Sequence, residues 1–354
     1  MAIYLHDKYA GKIDKKFTME SIAKGRFTGK VDFTGVRTVR IMTPQTVPLQ
    51  PYKRTGSNRY GDPVEMQDTV QEMTLTKDEA FSMSVDKGNN SDQGGLKAAG
   101  KMLALEVQEQ CVPTLDRYVF NRIANLAGTI HGNSTKLTKS NICEAITNGV
   151  IALDNAEAPS EGRSLFLPPD KYAMLRMSPE FIGVESLAKE SLSKGVVGEF
   201  AGMTVVKVPV GRWPANVNFI IAHKAAVIVA QKLNDTKLHQ DPPGISGNLL
   251  EGRMYYDCFV FEQKAGAVYA EVDTSSSAGS IVATPEITAA GGAISCSTGS
   301  ATIYYTTDGS DPRYSANRKT GTQADVTEEG TVVKAYAEKE GSFPSAVAEA
   351  VLTA

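Results

Sequence analysis

Cysteine is scarce in this 354-residue chain. Cys111, Cys143, Cys258 and Cys296 are scattered without CxxC spacing, which excludes a disulfide framework and a zinc site of the usual pattern. Histidine is equally sparse: His6, His131, His223 and His239 stand far apart, with no HExxH or paired spacing to hold a catalytic metal. No apolar run approaches the ~18 residues of a membrane span. Residues 1–8 lack the apolar core and cleavage site of a signal peptide, so folding in a reducing cytosol is expected. No Ser, Cys or Asp sits in a nucleophile-elbow context, and no carboxylate pair stands out from the charged background. The chain reads as a non-enzyme, with no cofactor and no metal.

What is present is length for two or three domains and a marked segregation of charge. Through residue 60 there are twelve Lys/Arg against four Asp/Glu, a balance of +8; from 61 to 92 there are two against eight, a balance of −6. Residues 31–86 alternate polar and apolar like strands (Val39 and Ile41 in one limb, Met73 and Leu75 in the other), around a turn-rich tip at 55–63. This predicts an extended hairpin with oppositely charged limbs. A 25-residue limb reaches roughly 80 Å at ~3.3 Å per residue. An isolated two-stranded hairpin is marginal in water, so it needs a surface to lie on, and a neighbouring copy of the chain is the natural one.

Downstream, Leu96, Leu103, Val107, Cys111, Leu115, Val119, Ile123 and Leu126 form one apolar stripe at helical steps, predicting a long helix over 95–127, kinked at Pro113 and stopped by Gly128. A second helix is expected over 139–155 with Ser140 as its cap, then a short strand at 165–167 and a helix near 170–176. Strands follow at 196–208 around Gly202, at 219–222 and at 225–230. Residues 87–92 read as a turn cluster and 232–248 as a polar loop, with 254–261 and 267–272 as a closing hairpin. The Ser-rich stretch 273–282 is a linker. After it, short strands about every ten residues signal a small all-β sandwich.

Three motifs invite chemistry and have plainer readings. Gly95 to Lys101 matches GxxxxGK, but Met102 stands where a phosphate-binding loop needs Ser or Thr, and no buried strand precedes it. Asp308-Gly309-Ser310-Asp311-Pro312 clusters carboxylates like a calcium loop; a tight turn between strands explains it better. The basic residues Lys8, Lys12, Lys15, Lys16, Lys24, Arg26 and Lys30 suit either nucleic-acid phosphates or an acidic surface of a sibling subunit, the latter preferred. Trp213, the lone tryptophan, is read as a packing or interface anchor.

The order of basic N-arm, extended hairpin, long spine helix and mixed α/β body resembles the HK97-type major capsid protein of tailed bacteriophages. The run from Gly252 to Phe261, with Ala267-Val268-Tyr269, looks like that family's last peripheral strands. The tail run from Ala301 to Pro312, followed by Thr331 to Ala337, resembles the immunoglobulin-like domain at the C-terminus of chitobiases and β-hexosaminidases. No glycosidase domain precedes it here, so no activity is carried over. The expected fold is therefore α+β: an N-terminal arm (1–30), an extended loop (31–90), a peripheral and axial capsid body (91–272), a linker (273–282) and an immunoglobulin-like domain (283–354).

The resemblance implies a shell subunit that self-assembles as pentamers and hexamers into an icosahedral head around double-stranded DNA without sequence specificity. Scaffold and portal proteins are further implied partners, with the virion as location and the host bacterial cytoplasm as the place of assembly. The tail domain would be displayed outside and dispensable for shell formation. Tyr304, Tyr305 and Tyr314 are its candidates to stack on host or mucosal glycans. Intersubunit contact is expected from Arg37, Arg40, Lys53, Arg54 and Arg59 against Asp62, Glu65, Asp68 and Glu72, with burial of Val39, Ile41, Met73 and Leu75 supplying most of the affinity. An encapsulin-like protein compartment and a surface carbohydrate-binding adhesin are the alternatives.

Overall fold

The computed structural model describes residues 20–353 except 24, 30, 34–36, 48, 64, 67, 93–97, 179–195, 276–278 and 327. Most of the basic arm, with Lys8, Lys12, Lys15, Lys16, Lys24 and Lys30, lies outside the described residues; residues 20–23 are described and are not helical. The chain divides into two compact units that interleave in sequence. One is Met1–Arg37 with Leu75–Gly279, and the other is Thr38–Thr74 with Ser280–Ala354.

The second unit contains the hairpin strands β1 (Thr38–Pro44) and β2 (Asp68–Thr74), paired antiparallel from Thr38 opposite Thr74 to Pro44 opposite Asp68. The first unit opens with β3 (Lys77–Asp86), a short helix α1 (Lys87–Asp92) where a turn cluster was expected, and a helical rod. The rod comprises α2 (Ala99–Glu106), a π-helical turn (Val107–Cys111) and α3 (Val112–Asn125). Pro113 explains the π turn. Its ring would collide with the carbonyl four residues back, and it has no N–H to donate there. A widened turn just upstream, in which the Val112 N–H reaches the Val107 carbonyl, lets the helix continue. The stripe of Cys111, Leu115, Val119 and Ile123 is buried as the periodicity predicts, whereas α2 buries none of its residues.

A six-stranded mixed sheet follows from β4 (Thr129–Asn133), β5 (Arg163–Leu167), β6 (Val196–Phe200), β7 (Met203–Lys207), β8 (Val217–His223) and β11 (Val268–Asp273), in the order β4-β11-β8-β5-β7-β6. Helices α4 (Ile142–Asn155) and α5 (Pro169–Arg176) share its core, in which Ile142, Ile146 and Leu153 meet Leu165, Val205, Phe219, Ile221 and Tyr269. Gly149 lets α4 approach closely, since a Cβ there would lie 2.9 Å from Ile221 Cδ1. Ser140 does not cap α4: its hydroxyl pairs with Thr138 Oγ1 at 2.9 Å, and Asn141 occupies the cap position. Strand β4, which the sequence reading passed over, pairs parallel to β11.

A separate three-stranded sheet has the order β3-β10-β9, built from β9 (Val227–Gln240), β10 (Gly247–Val260) and β3. It corrects three expectations. Residues 77–86 belong to this body sheet, opposite 247–256, so the hairpin is the shorter β1–β2 element rather than the whole of 31–90. Residues 232–240 and 247–248 are ladder strands rather than a polar loop; Thr236, Lys237, Leu238, His239 and Gln240 are exposed, so the backbone pairing leaves their polarity unopposed by burial. Finally, β10 and β11 do not form a hairpin, because a 3-10 turn (Glu262–Ala267) sends the chain from one sheet to the other.

The tail is all-β. Strands β12 (Glu286–Ile287) and β13 (Ile294–Ser295) form one pair, and β14 (Thr302–Thr306), β15 (Lys319–Thr320), β16 (Val332–Glu338) and β17 (Ala348–Val351) form a sheet in the order β15-β14-β16-β17. Val282, Ile294, Ile303, Tyr305, Val333, Ala335, Ala337 and Leu352 fill its core. Strand β11 extends through Asp273, so the linker begins later than position 273.

Gly128 ends the rod for a reason other than a left-handed cap. A Cβ there would sit 2.2 Å from the Ala265 carbonyl oxygen, which accepts the Gly128 N–H at 3.2 Å. Gly128→Ala must push two backbones apart and is expected to cost about 1–3 kcal/mol. Scanning calorimetry checks this; an unchanged melting temperature would refute the close-approach argument.

Candidate functional site

Two buried carboxylates tie the long helix to the extended segments of the first unit. Asp116 lies on the buried face of α3 at 0% exposure. Its oxygens accept from the Ser21 hydroxyl at 2.7 Å, the Ile22 N–H at 2.9 Å and the Ala23 N–H at 3.3 Å, all from the end of the N-terminal arm. Arg212, itself buried, pairs with Asp116 at 2.9 Å and donates from the same nitrogen to the Glu20 carbonyl at 2.9 Å. A helix, an arm and the 3-10 turn Val210–Arg212 thus converge on one desolvated ion pair. Trp213 beside it is a packing residue, 5.7 Å from Phe120 between ring centroids, with its indole N–H donated to the Val217 carbonyl at 2.6 Å.

Asp257, on β10 and also at 0% exposure, holds the root of the hairpin. It accepts from the Thr76 N–H at 2.9 Å and the Thr76 hydroxyl at 2.7 Å, immediately after the chain returns from β2. It also accepts from the Tyr118 hydroxyl of α3 at 2.7 Å and from the Cys258 N–H at 2.7 Å. Burial, first among the causes, pushes the Tyr118 hydroxyl up to about 12, so it remains a donor at neutral pH. The outgoing and returning limbs are joined beside this point: the Leu75 N–H donates to the Arg37 carbonyl at 3.1 Å, and the Arg37 guanidinium donates to the Leu75 carbonyl at 3.2 Å.

Along the hairpin, Arg40 and Glu72 are register partners and pair at 3.0 Å, with side chains 69% and 34% exposed. This pair therefore joins the two limbs of one chain. Met73 and Leu75 are fully buried within the chain, so they present no area to a second molecule, which corrects their assignment as intersubunit contacts. Val39 and Ile41 are half-buried. Arg37, Lys53, Arg54, Arg59, Asp62, Glu65 and Asp68 are exposed. Met42 at the end of β1 and the loop between the strands carry the features that the sequence reading missed: Met42, Val47, Leu49, Tyr52, Tyr60 and Met66 are all exposed, Leu49 completely, with Tyr52 and Tyr60 edge to face at 5.1 Å. Their spacing follows no strand or helix period, so the apolar content alone was the available signal.

Two of the three tail tyrosines offer no face to a sugar, and the third is half-buried. Tyr305 and Tyr314 are buried, and Tyr304 stacks on Tyr336 at 5.4 Å with the Arg318 guanidinium 4.7 Å over its ring. The carboxylates of the run 308–312 are met by groups of their own loop. Asp311 pairs with Arg313 at 2.7 Å, and Asp308 accepts from the Ser310 N–H at 3.0 Å and from Asn317 at 3.1 Å. Of the GxxxxGK run, residues 95–97 lie outside the described residues, and Lys101 is exposed on α2. His131 pairs with buried Glu271 at 2.8 Å, and His223 with the Glu161 carbonyl at 2.9 Å.

Each anchor is a lone carboxylate inside an apolar run, Asp116 between Leu115 and Val119 and Asp257 within Tyr255-Tyr256-Asp257-Cys258-Phe259, a pattern that singles out the residue without giving its burial or its partners. Asp116→Ala removes the buried carboxylate that pairs with Arg212 and is expected to destabilise by about 3–5 kcal/mol. Thermal unfolding measures that, and limited proteolysis should newly cleave near residues 20–26. Asp257→Ala strands the donors of Thr76 and Tyr118 at an expected cost of about 2–4 kcal/mol, with faster amide exchange at 75–77. Wild-type exchange there would sink the anchoring role.

Compared with solved structures, the chain is similar to one from Mycobacterium phage Che8 (TM-score 0.61, 13% identity, covering 77% of this chain and 98% of that one). It is similar to the mature capsid of bacteriophage PhiM1 (TM-score 0.59, 14% identity, 77% and 92% covered) and to the capsid of Cyanophage P-SCSP1u (TM-score 0.61, 13% identity, 77% and 93% covered). The chain thus carries the HK97-type capsid fold that its sequence layout suggested. Residues 288–349 match the chitobiase/beta-hexosaminidase C-terminal domain family, in agreement with the resemblance read from the tail. No curated protein matches the sequence.

Proposed function

We propose that this chain is the major capsid protein of a tailed bacteriophage, a shell subunit that assembles with copies of itself into the icosahedral head around double-stranded DNA. The carrying observation is the extent of the fold match: two phage capsid chains are matched over 92% and 93% of their own lengths while 77% of this chain is covered. The role is structural, and the location is the virion, with assembly in the host bacterial cytoplasm. Scaffold and portal proteins would complete the assembly. Contact between copies would be heterologous, the arm of one subunit lying on the body of the next, which closes into pentameric and hexameric rings.

The arm is chemically suited to that contact. Its loop exposes Leu49, Tyr52, Tyr60 and Met66, and aromatic and Met side chains are the residues that interfaces bury to greatest effect. Around them stand the exposed charges Lys53, Arg54, Arg59, Asp62, Glu65 and Asp68, with Arg37 nearer the root. Each exposed ion pair is worth roughly 0–1 kcal/mol, so these charges orient the arm while apolar burial, with Val39 and Ile41 adding to it, supplies the affinity. The tail domain sits outside the shell in this reading.

Electron microscopy of the high-mass fraction from cells expressing the chain, with its scaffold partner co-expressed, tests the proposal. Closed shells with small external knobs are expected, and monomers alone despite the scaffold would refute it. The double variant Leu49→Asp, Tyr60→Asp is expected to abolish shells while the dispersed subunit melts as wild type; shells in normal yield would remove the arm from the interface.

A further inference from the structure

We propose that the C-terminal domain is a clamp for its own chain's hairpin, gripping β2 through the loop 307–318. The domain was read as a displayed and dispensable module. Its geometry within the second unit assigns it a mechanical task.

The loop touches the hairpin at three points. The Ala316 N–H donates to the Val70 carbonyl at 3.1 Å, Gln71 and Ser315 are opposed in an antiparallel bridge, and the Gln45 amide donates to the Asp308 carbonyl at 3.3 Å. Strand β2 therefore has a backbone partner on each side: β1, and the loop. The buried face of β2 agrees with this, because Thr69 and Gln71 are 3% and 6% exposed although both are polar.

The loop is pre-organised for the contact. The Asp311 carbonyl accepts the N–H groups of Tyr314 and Ser315, and the Asp311 carboxylate holds Arg313. The Thr306 hydroxyl donates to the Ser310 carbonyl at 2.6 Å, the Asn317 N–H donates to the Ser315 hydroxyl at 3.1 Å, and Ser310 and Ser315 are buried. These bonds form within the loop, so little conformational entropy remains to be lost when it meets β2. The acidic, Gly- and Pro-containing motif is thereby explained as the rigid jaw of the clamp. A two-stranded hairpin is marginal in water, and a third partner supplies what it lacks.

Both tests use the dispersed full-length chain, so their outcome is independent of whether it builds shells. Opposed residues of an antiparallel bridge have Cα atoms ~4.5–5.5 Å apart, within disulfide range. In a Cys296→Ser background, which removes the one cysteine that is not buried, the pair Gln71→Cys and Ser315→Cys should oxidise to a disulfide within a single chain. No disulfide, or one joining two chains, overturns the proposal. In hydrogen–deuterium exchange, Ala316→Pro removes the donor to Val70 and should speed exchange of Asp68–Thr74 about tenfold. Protection at Val332–Glu338 reports whether the sandwich stays folded. Unaltered exchange of Asp68–Thr74 overturns the clamp, and the disulfide result decides the matter even if the sandwich is perturbed.

Discussion

A carboxylate withdrawn from water costs several kcal/mol unless its lone pairs are met, and Asp116 meets them by collecting parts of the chain that are far apart in sequence. Ser21, Ile22 and Ala23 from the arm and Arg212 from the 3-10 turn supply its partners, and α3 carries the carboxylate that gathers them. The interaction specifies arrangement more than it adds stability, because an apolar replacement of the whole cluster would pack as well without fixing where the arm emerges. Asp257 repeats the device at the root of the hairpin, through Thr76 and Tyr118. Both anchors use α3, which makes that helix the reference for the arm's exit and the hairpin's return.

The remainder of the hairpin answers to a different constraint. Its loop keeps Leu49, Tyr60 and Met66 in solvent, an arrangement that is unfavourable for a free subunit and favourable for one that is about to be covered. Such a segment must stay extended before its partner arrives. Strand β1, the Arg40–Glu72 pair and the bonds to the tail loop hold β2 in the extended state. Rigidity ahead of contact lowers the entropy lost on association, which is the physical advantage of a braced arm over a loose one.

Much of the architecture was legible because it follows local rules. The helical stripe through Cys111, Leu115, Val119 and Ile123 is buried, the strands around Gly202 form, and the tail is an all-β module. The errors share a cause. Residues 232–240 are polar and read as loop, but their pairing with β10 is a backbone matter that side-chain polarity does not report. Residues 77–86 alternate as regularly as the hairpin limbs, and only a partner more than 160 residues away assigns them to the body. Tyr305 is buried because it lies on the inner face of β14, and alternation along a sandwich strand does not say which face is inside; Tyr314 is buried in the loop that follows, where no period applies.

Local patterns along the chain, and the resemblances that their order carries, pointed to the class of fold, the long helix, the hairpin with its charge asymmetry and the tail module, since each is written in the succession of neighbouring residues. Tertiary structure alone decided which strand joined which sheet, that Asp116 and Asp257 would be buried anchors rather than surface charges, and that the tail would hold the hairpin of its own chain. Those outcomes rest on hydrogen bonds between residues separated by up to some 260 positions, such as Gln45 with Asp308. Their free energy exists only once the chain has closed around them, and no local pattern encodes it.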